Sequence, residues 1–267
     1  MKTRADLLPR AKPTVAPLPR PNAQSKSRVR ELEAQLETLT QELESFRYSI
    51  SHDLRAPLRH VLSYVEILQA TASQTLDATS RQHLQTIAQA AAQMGQMMDG
   101  LLELSRIGRY GMRFQPVSLA ALVEKVRQEL RPEIKDRNIA WQIGDLPAVQ
   151  GDSSLLLQAI RNLVANAVKY TRTRPAASIA IGTKNTARET VFFIRDNGIG
   201  FDNHCPDKLF GAFQRFHLLS EFEGVGIGLA KVRSIIRKHG GRTWADAKPR
   251  GGATFYFSIP KPRHDAK

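Results

Sequence analysis

A run of apolar residues at Val29, Leu32, Leu36, Leu39, Leu43, Phe46 and Ile50, spaced alternately by three and four, constrains this chain more than any other feature. That alternation is the seam of a helix that packs along its length against other helices. Past Thr71-Ala72-Ser73-Gln74, which reads as a loop, the same alternation returns at Leu84, Ile87, Ala91, Met94, Met98, Leu101 and Ser105. Two long antiparallel helices are predicted. Each seam wants partners on more than one side, so the economical solution is a homodimer whose two hairpins form a four-helix bundle. The stretch Gln93-Met94-Gly95-Gln96-Met97-Met98-Asp99-Gly100 reads as core filler within it.

The 267 residues leave room for a second domain with its own core. No run of about 18 apolar residues occurs and no secretory signal precedes the seam, so no transmembrane segment is expected and the protein reads as cytoplasmic. The sole cysteine, Cys205, excludes an internal disulfide and a cysteine-rich metal cage. The net charge of +14 would suggest nucleic acid as a partner, but residues 1–30 hold eight Lys or Arg against Asp6 alone, +7 of that excess. Pro9, Pro13, Pro17, Pro19 and Pro21 lie in the same segment. Residues 1–27 therefore read as a disordered, basic, proline-rich leader, and no specific nucleic-acid recognition is expected.

Residues 28–110 read as a coiled coil and helical hairpin, and one short stretch in it departs from packing logic. Ser51-His52-Asp53-Leu54-Arg55-Ala56-Pro57-Leu58-Arg59 places an imidazole, a carboxylate and a proline in succession. His52 lies two positions past Ile50, beside the seam and open to solvent. A carboxylate such as Asp53 that accepts a hydrogen bond from Nδ1–H holds the ring in one tautomer and leaves Nε2 with a free lone pair, which makes the ring nucleophilic. Pro57 lacks the N–H that the Asp53 carbonyl would accept, loosening the helix there. His60, His83, His204, His217 and His239 have no comparable neighbours and read as surface or packing residues. The stretch resembles the phosphoacceptor box of bacterial sensor histidine kinases, in which the histidine of a dimeric hairpin is phosphorylated.

From about residue 113 to 262 the pattern becomes an α+β two-layer sandwich, one sheet covered by helices. Residues 118–130 and 152–170 read as helices. Residues 139–143, 178–184, 190–196 and 253–259 read as strands. Asn162 and Asn166 share one helix face with Lys169 nearby, and two amide oxygens with an ammonium suit a magnesium triphosphate. Alone, that trio would read as a solvated helix face. Asp196-Asn197-Gly198-Ile199-Gly200 follows a strand, where glycines admit a flat ligand and a buried carboxylate can accept from an exocyclic amine such as that of adenine. Gly224, Gly226 and Gly228 open a helix, whose amides form an anion site. Their spacing does not fit the dinucleotide-binding fingerprint.

In this order the three clusters resemble the N, G1 and G2 boxes of the GHKL (Bergerat) ATP-binding fold of histidine kinases, DNA gyrase, MutL and heat-shock chaperone ATPases. Residues 207–217 resemble the kinases' F box, and the whole set is most like the kinase modules of bacterial phytochromes. The resemblance implies that Asn162 and Asn166 hold Mg²⁺, Lys169 the phosphates of ATP, Tyr170 the adenine face and Asp196 with Gly198 and Gly200 the adenine end. Gly224, Gly226 and Gly228 would contact phosphate, with Lys208 and Arg215 as cationic helpers. In the fold's hydrolases a glutamate stands where this chain has Asn162, which cannot act as a base. The reading is thus ATP-dependent phosphorylation of His52, then transfer to a response-regulator aspartate. The alternative is an ATP-binding dimeric scaffold without kinase activity. Many family members carry Thr or Asn four residues after the histidine to position water, whereas Ala56 stands here, so weak phosphatase activity is implied. No sensor domain precedes the seam, so the signal would arrive through a separate sensor protein or a sensor removed from the chain.

Overall fold

Helix α1 spans Ala23–Ala72 in the computed structural model, which describes residues 23–72, 75–202, 206–214 and 224–261. The helix begins five residues inside the segment read as a leader: Ala23 to Ser27 follow the last proline of that segment, Pro21, and nothing in their sequence stops a helix. Residues 1–22 lie outside the described residues. Two compact units divide the chain after Ser45. In the first, Leu32, Leu36, Leu39 and Leu43 are all exposed along the helix.

In the second unit, the remainder of α1 pairs with α2, Ala78–Arg109. Asp77 caps α2 by accepting from Ser80 N at 2.7 Å. The two helices run antiparallel, since Arg55 bonds Asp99 at 2.5 Å while Leu58 lies against Gly95. Their shared core is small: Leu58, Ala91 and Met98, with Leu62 against them. The second seam splits accordingly. Ala91, Met98 and Ser105 are buried, whereas Ile87 and Met94 are exposed, because a hairpin offers each helix one partner and the alternate row faces outward. Within one hairpin Met98 is thus core filler, whereas Met94 lies on the outward row. Among the described residues no helix is long and apolar enough to cross a membrane.

The rest of the second unit is the expected two-layer arrangement. A five-stranded sheet has the order β2-β4-β5-β7-β6, where β2 is Ile139–Ile143, β4 Ala177–Asn185, β5 Glu189–Asp196, β6 Thr243–Lys248 and β7 Gly252–Pro260. Only β2 and β4 pair in parallel. One face, with Ile179, Ile181, Phe192, Ile194, Phe255, Phe257 and Ile259 buried, is covered by α3 (Leu119–Leu130), α4 (Ser153–Tyr170) and α6 (Gly228–Lys238), while α5 is the single turn Pro206–Leu209. Phe192 stacks on Phe257 with centroids 4.7 Å apart. On the other face Trp244 stacks on Tyr256, and Arg242 lies 4.6 Å from the Trp244 ring centre. The sequence reading lacked two short strands, β1 (Gln115–Ser118) and β3 (Ala148–Gly151), which form a separate ladder, and the edge strand β6. Four-residue strands carry too few alternations to be legible.

Asp152 fixes the start of α4. Its Oδ1 accepts from Ser154 N at 3.0 Å and Leu155 N at 3.1 Å, and its Oδ2 from Arg113 N at 2.9 Å. Its own N–H donates to His239 Nε2 at 3.0 Å, while His239 Nδ1 contacts the Ile235 carbonyl at 2.8 Å. His239 is thus a packing residue, buried between the ends of two helices. Burial opposes the Asp152 charge, yet the bonds from Ser154, Arg113 and Leu155 outweigh it and hold the carboxyl below its ordinary range. A depressed carboxylate pKa contributes stability above the usual value that is lost as pH falls through the folded one. Asp152→Ala is expected to lower stability by about 1–2 kcal/mol at neutral pH, with a smaller deficit in acid, as read by thermal unfolding across pH.

Candidate functional site

His52 sits on α1 with 70% of its side chain exposed, and its Nδ1 lies 3.2 Å from Asp53 Oδ1. Ser49 Oγ reaches Asp53 Oδ2 at 3.5 Å from the preceding turn. The pair has the geometry expected of an oriented imidazole: the carboxylate faces one ring nitrogen and the ring remains accessible. The helix continues through Pro57. Ala56 is exposed and offers no polar side-chain atom.

The other predicted residues converge elsewhere in the same unit. A cavity of about 410 Å³ is lined by Asn162, Asn166, Lys169, Tyr170, Asp196, Gly200, Gly224, Gly226 and Gly228. That volume is in the range of small-molecule sites. The α4 periodicity produces half of it: Leu156, Ile160, Leu163 and Ala167 bury one face, which turns Asn162, Asn166 and Lys169 to the opposite side. Asn162 donates Nδ2–H to the Gln158 carbonyl at 2.8 Å, which leaves Oδ1 as its outward acceptor beside Gly228. Two amide oxygens near a lysine fit a hard cation that also carries phosphate oxygens. Lys169 Nζ stands 4.8 Å from the Tyr170 ring centre.

At the other end, β5 delivers Asp196 into the floor. Its Oδ1 accepts from Gly198 N at 2.8 Å, and its Oδ2 is buried with no hydrogen-bond partner among the described residues. Burial, partly offset by the backbone amides of Gly198 and Ala253, raises its pKa to about 6. An orphaned buried carboxylate oxygen is costly, and a donor supplied by a ligand would relieve it. Gly200 has φ +62° and approaches the Lys248 backbone so closely that a Cβ would clash.

Gly198 does not line the cavity itself but orients Asp196, and Lys208 is exposed away from the lining. Arg215 lies outside the described residues, as do His204, Cys205 and His217. His52 and Asp53 are not part of the cavity wall. What the sequence reading missed is the contribution of α2. Gln96, Asp99, Gly100 and Glu103 close one side, Glu103 pairs with Lys231 of α6, and Ile227 seats on Gly100, where any Cβ would collide with it. Burial lowers the pKa of Lys231. A glycine in a helix interior, at a cost of about 1 kcal/mol against alanine, was the available signal of close approach.

Residues 42–109 match the His Kinase A (phospho-acceptor) domain family, and residues 151–263 match the histidine kinase-, DNA gyrase B-, and HSP90-like ATPase family. The chain is 36% identical over 225 residues to cyanobacterial phytochrome A of Nostoc sp., covering 84% of this chain and 29% of that protein. Over 250 residues it is 34% identical to the methanogenesis regulatory histidine kinase FilI of Methanothrix harundinacea, covering 93% of this chain and 28% of that one. The chain thus spans less than a third of the length of either relative. The crystal structure of full-length ShkA in complex with AMPPNP superposes with a TM-score of 0.56 at 25% identity, covering 81% of this chain and 45% of that chain.

Proposed function

Since the chain belongs to the histidine kinase family, with a phosphoacceptor domain followed by an ATPase domain, we propose that it transfers the γ-phosphoryl group of ATP to His52 and then to an aspartate of a response-regulator receiver domain. The observation that carries this reading is the pairing of an exposed His52–Asp53 couple with a cavity whose floor is an orphaned carboxylate and whose wall is Asn162, Asn166 and Lys169. Asp196 Oδ2 accepts from the adenine amine, and Tyr170 packs on the base. Lys169 and the amides around Gly224, Gly226 and Gly228 hold the phosphates. Asn162 and Asn166 would hold Mg²⁺, which neutralises phosphate charge when bound. His52 Nε2 attacks the γ-phosphorus as the bond to ADP breaks, and Asp53 holds the Nδ1 proton throughout. Positioning and charge stabilisation supply most of the acceleration.

Because His52 is not in the cavity wall, delivery requires the ATPase domain to move or a second protomer to present its histidine. A homodimer is in keeping with the apolar residues left exposed on the hairpin, among them Leu54, Val61, Ile67, Leu68, Ile87 and Met94. The test of the reading is incubation with Mg²⁺ and γ-labelled ATP, then addition of purified receiver domains. Acid-labile, alkali-stable label that moves to a receiver is expected. ATP binding without labelling would favour the scaffold alternative.

Ala56 bears on hydrolysis of the phosphorylated regulator, since it has no group to orient water toward a phospho-aspartate. Loss of phosphate from a labelled regulator is therefore expected to stay close to its spontaneous rate when this protein is added with ADP. A many-fold acceleration would contradict that expectation.

A further inference from the structure

Arg174, half-buried just beyond the end of α4, has no part in the chemistry described so far. Its guanidinium is committed to three backbone carbonyls: Nε donates to Asn197 O at 2.8 Å, and Nη2 donates to Gly198 O at 3.0 Å and Arg250 O at 2.6 Å. Two of these belong to the loop that follows Asp196, and the third to the turn between β6 and β7. The guanidinium bridges two segments about 50 residues apart in sequence, one directly after the cavity-lining Asp196 and the other directly before the cavity-lining Ala253.

The surrounding contacts show what the bridge holds. Gly198 N is the donor on Asp196 Oδ1, and Gly198 packs so tightly on the Tyr170 carbonyl that a Cβ would lie 2.5 Å from it. Ile199 N donates to that same carbonyl at 3.2 Å, and Arg250 N donates to Ile199 O at 2.6 Å. The direction of the Gly198 amide decides which Asp196 oxygen is occupied and which remains for a ligand. Arg174 pins the carbonyl of Gly198 itself and that of Asn197, the peptide whose N–H is the Gly198 amide.

We propose that Arg174 is a positioning residue for base recognition: by clamping the Asn197 and Gly198 carbonyls to Arg250, it keeps Asp196 Oδ1 engaged and presents Oδ2 to the exocyclic amine of adenine. This rests on the reading that Asp196 binds adenine. Its consequence is a split between base and phosphate. Loosening the clamp costs affinity for the base and the preference for adenine over guanine, while the phosphate end, built on α4 and the Gly224–Gly228 segment, is unaffected.

The test compares binding of ADP, GDP and inorganic tripolyphosphate, each with Mg²⁺, to the full chain, to Arg174→Met and to Arg174→Lys. Thermal unfolding of each variant verifies that it is folded. The wild-type protein is expected to prefer ADP. Arg174→Met is expected to lose on the order of ten-fold in ADP affinity and in the ADP-to-GDP ratio, with tripolyphosphate unchanged. Lysine, which can still donate to one of the carbonyls, recovers part of the ratio. If the methionine variant keeps the wild-type ratio, or loses ADP and tripolyphosphate equally, the positioning role is overturned. A wild-type protein with no preference for ADP over GDP would overturn the adenine reading beneath it, and this proposal with it.

Discussion

Replacing His52 with glutamine abolishes labelling from γ-labelled ATP while leaving the affinity for nucleotide within about two-fold of wild type, because the sites share no side chain. The side chain is 70% exposed and outside the cavity wall, so its loss removes the acceptor without disturbing the ATP site or the core. Glutamine keeps a polar group of similar reach but has no nucleophilic lone pair on nitrogen. Asp53→Asn should fall between the two. It can still contact the Nδ1 edge at 3.2 Å, but it neither stabilises the developing imidazolium nor enforces one tautomer, and a loss of roughly 10²-fold in labelling rate is expected. Acid-labile label that survived in His52→Gln would mean that another side chain is the acceptor and would remove His52 from the mechanism.

How much of this was legible depended on whether a residue's role is local. The His52–Asp53 couple is made within one helical turn, so the sequence alone predicted both its contact and its exposure. The α4 trio was legible for the same reason, since spacings of four and three place Asn162, Asn166 and Lys169 together whatever the rest of the chain does. The position of Asp196 in the cavity floor followed from a strand ending in a glycine-rich turn. Long-range contacts were not legible. Nothing near Gly100 announces Ile227, nothing near Glu103 announces Lys231, and Arg174 reads as one more surface cation in Thr171-Arg172-Thr173-Arg174 until the Asn197, Gly198 and Arg250 carbonyls surround it. The heptad was legible as a pattern, but not which of its rows a single hairpin would bury. That is decided by the number of helices in the assembly, which the spacing does not encode.

Asp196→Asn is expected to weaken adenine-nucleotide binding by roughly 10- to 100-fold, the cost of exchanging a charged acceptor for a neutral one in a buried site. The pH dependence makes the test sharper, because stability and binding should move in opposite directions. Burial raises the carboxyl pKa to about 6 in the unliganded protein, above its ordinary value of 3.8. The folded state therefore holds this proton more tightly than the unfolded chain. The stability this confers is fully present below pH 4 and is lost as pH rises through 6, leaving a buried charge at neutral pH. Adenine binding reverses the preference, since an amine donor is best met by the ionised oxygen, so affinity should fall as pH drops through about 6. Relative to Asp196→Asn, the wild-type protein should thus gain thermal stability and lose nucleotide affinity between pH 7 and 5. Protonation of the nucleotide's own phosphates is common to both proteins and cancels in the comparison. Parallel pH profiles for the two proteins would exclude Asp196 as the group that meets the base, and the orphaned Oδ2 would then need another partner.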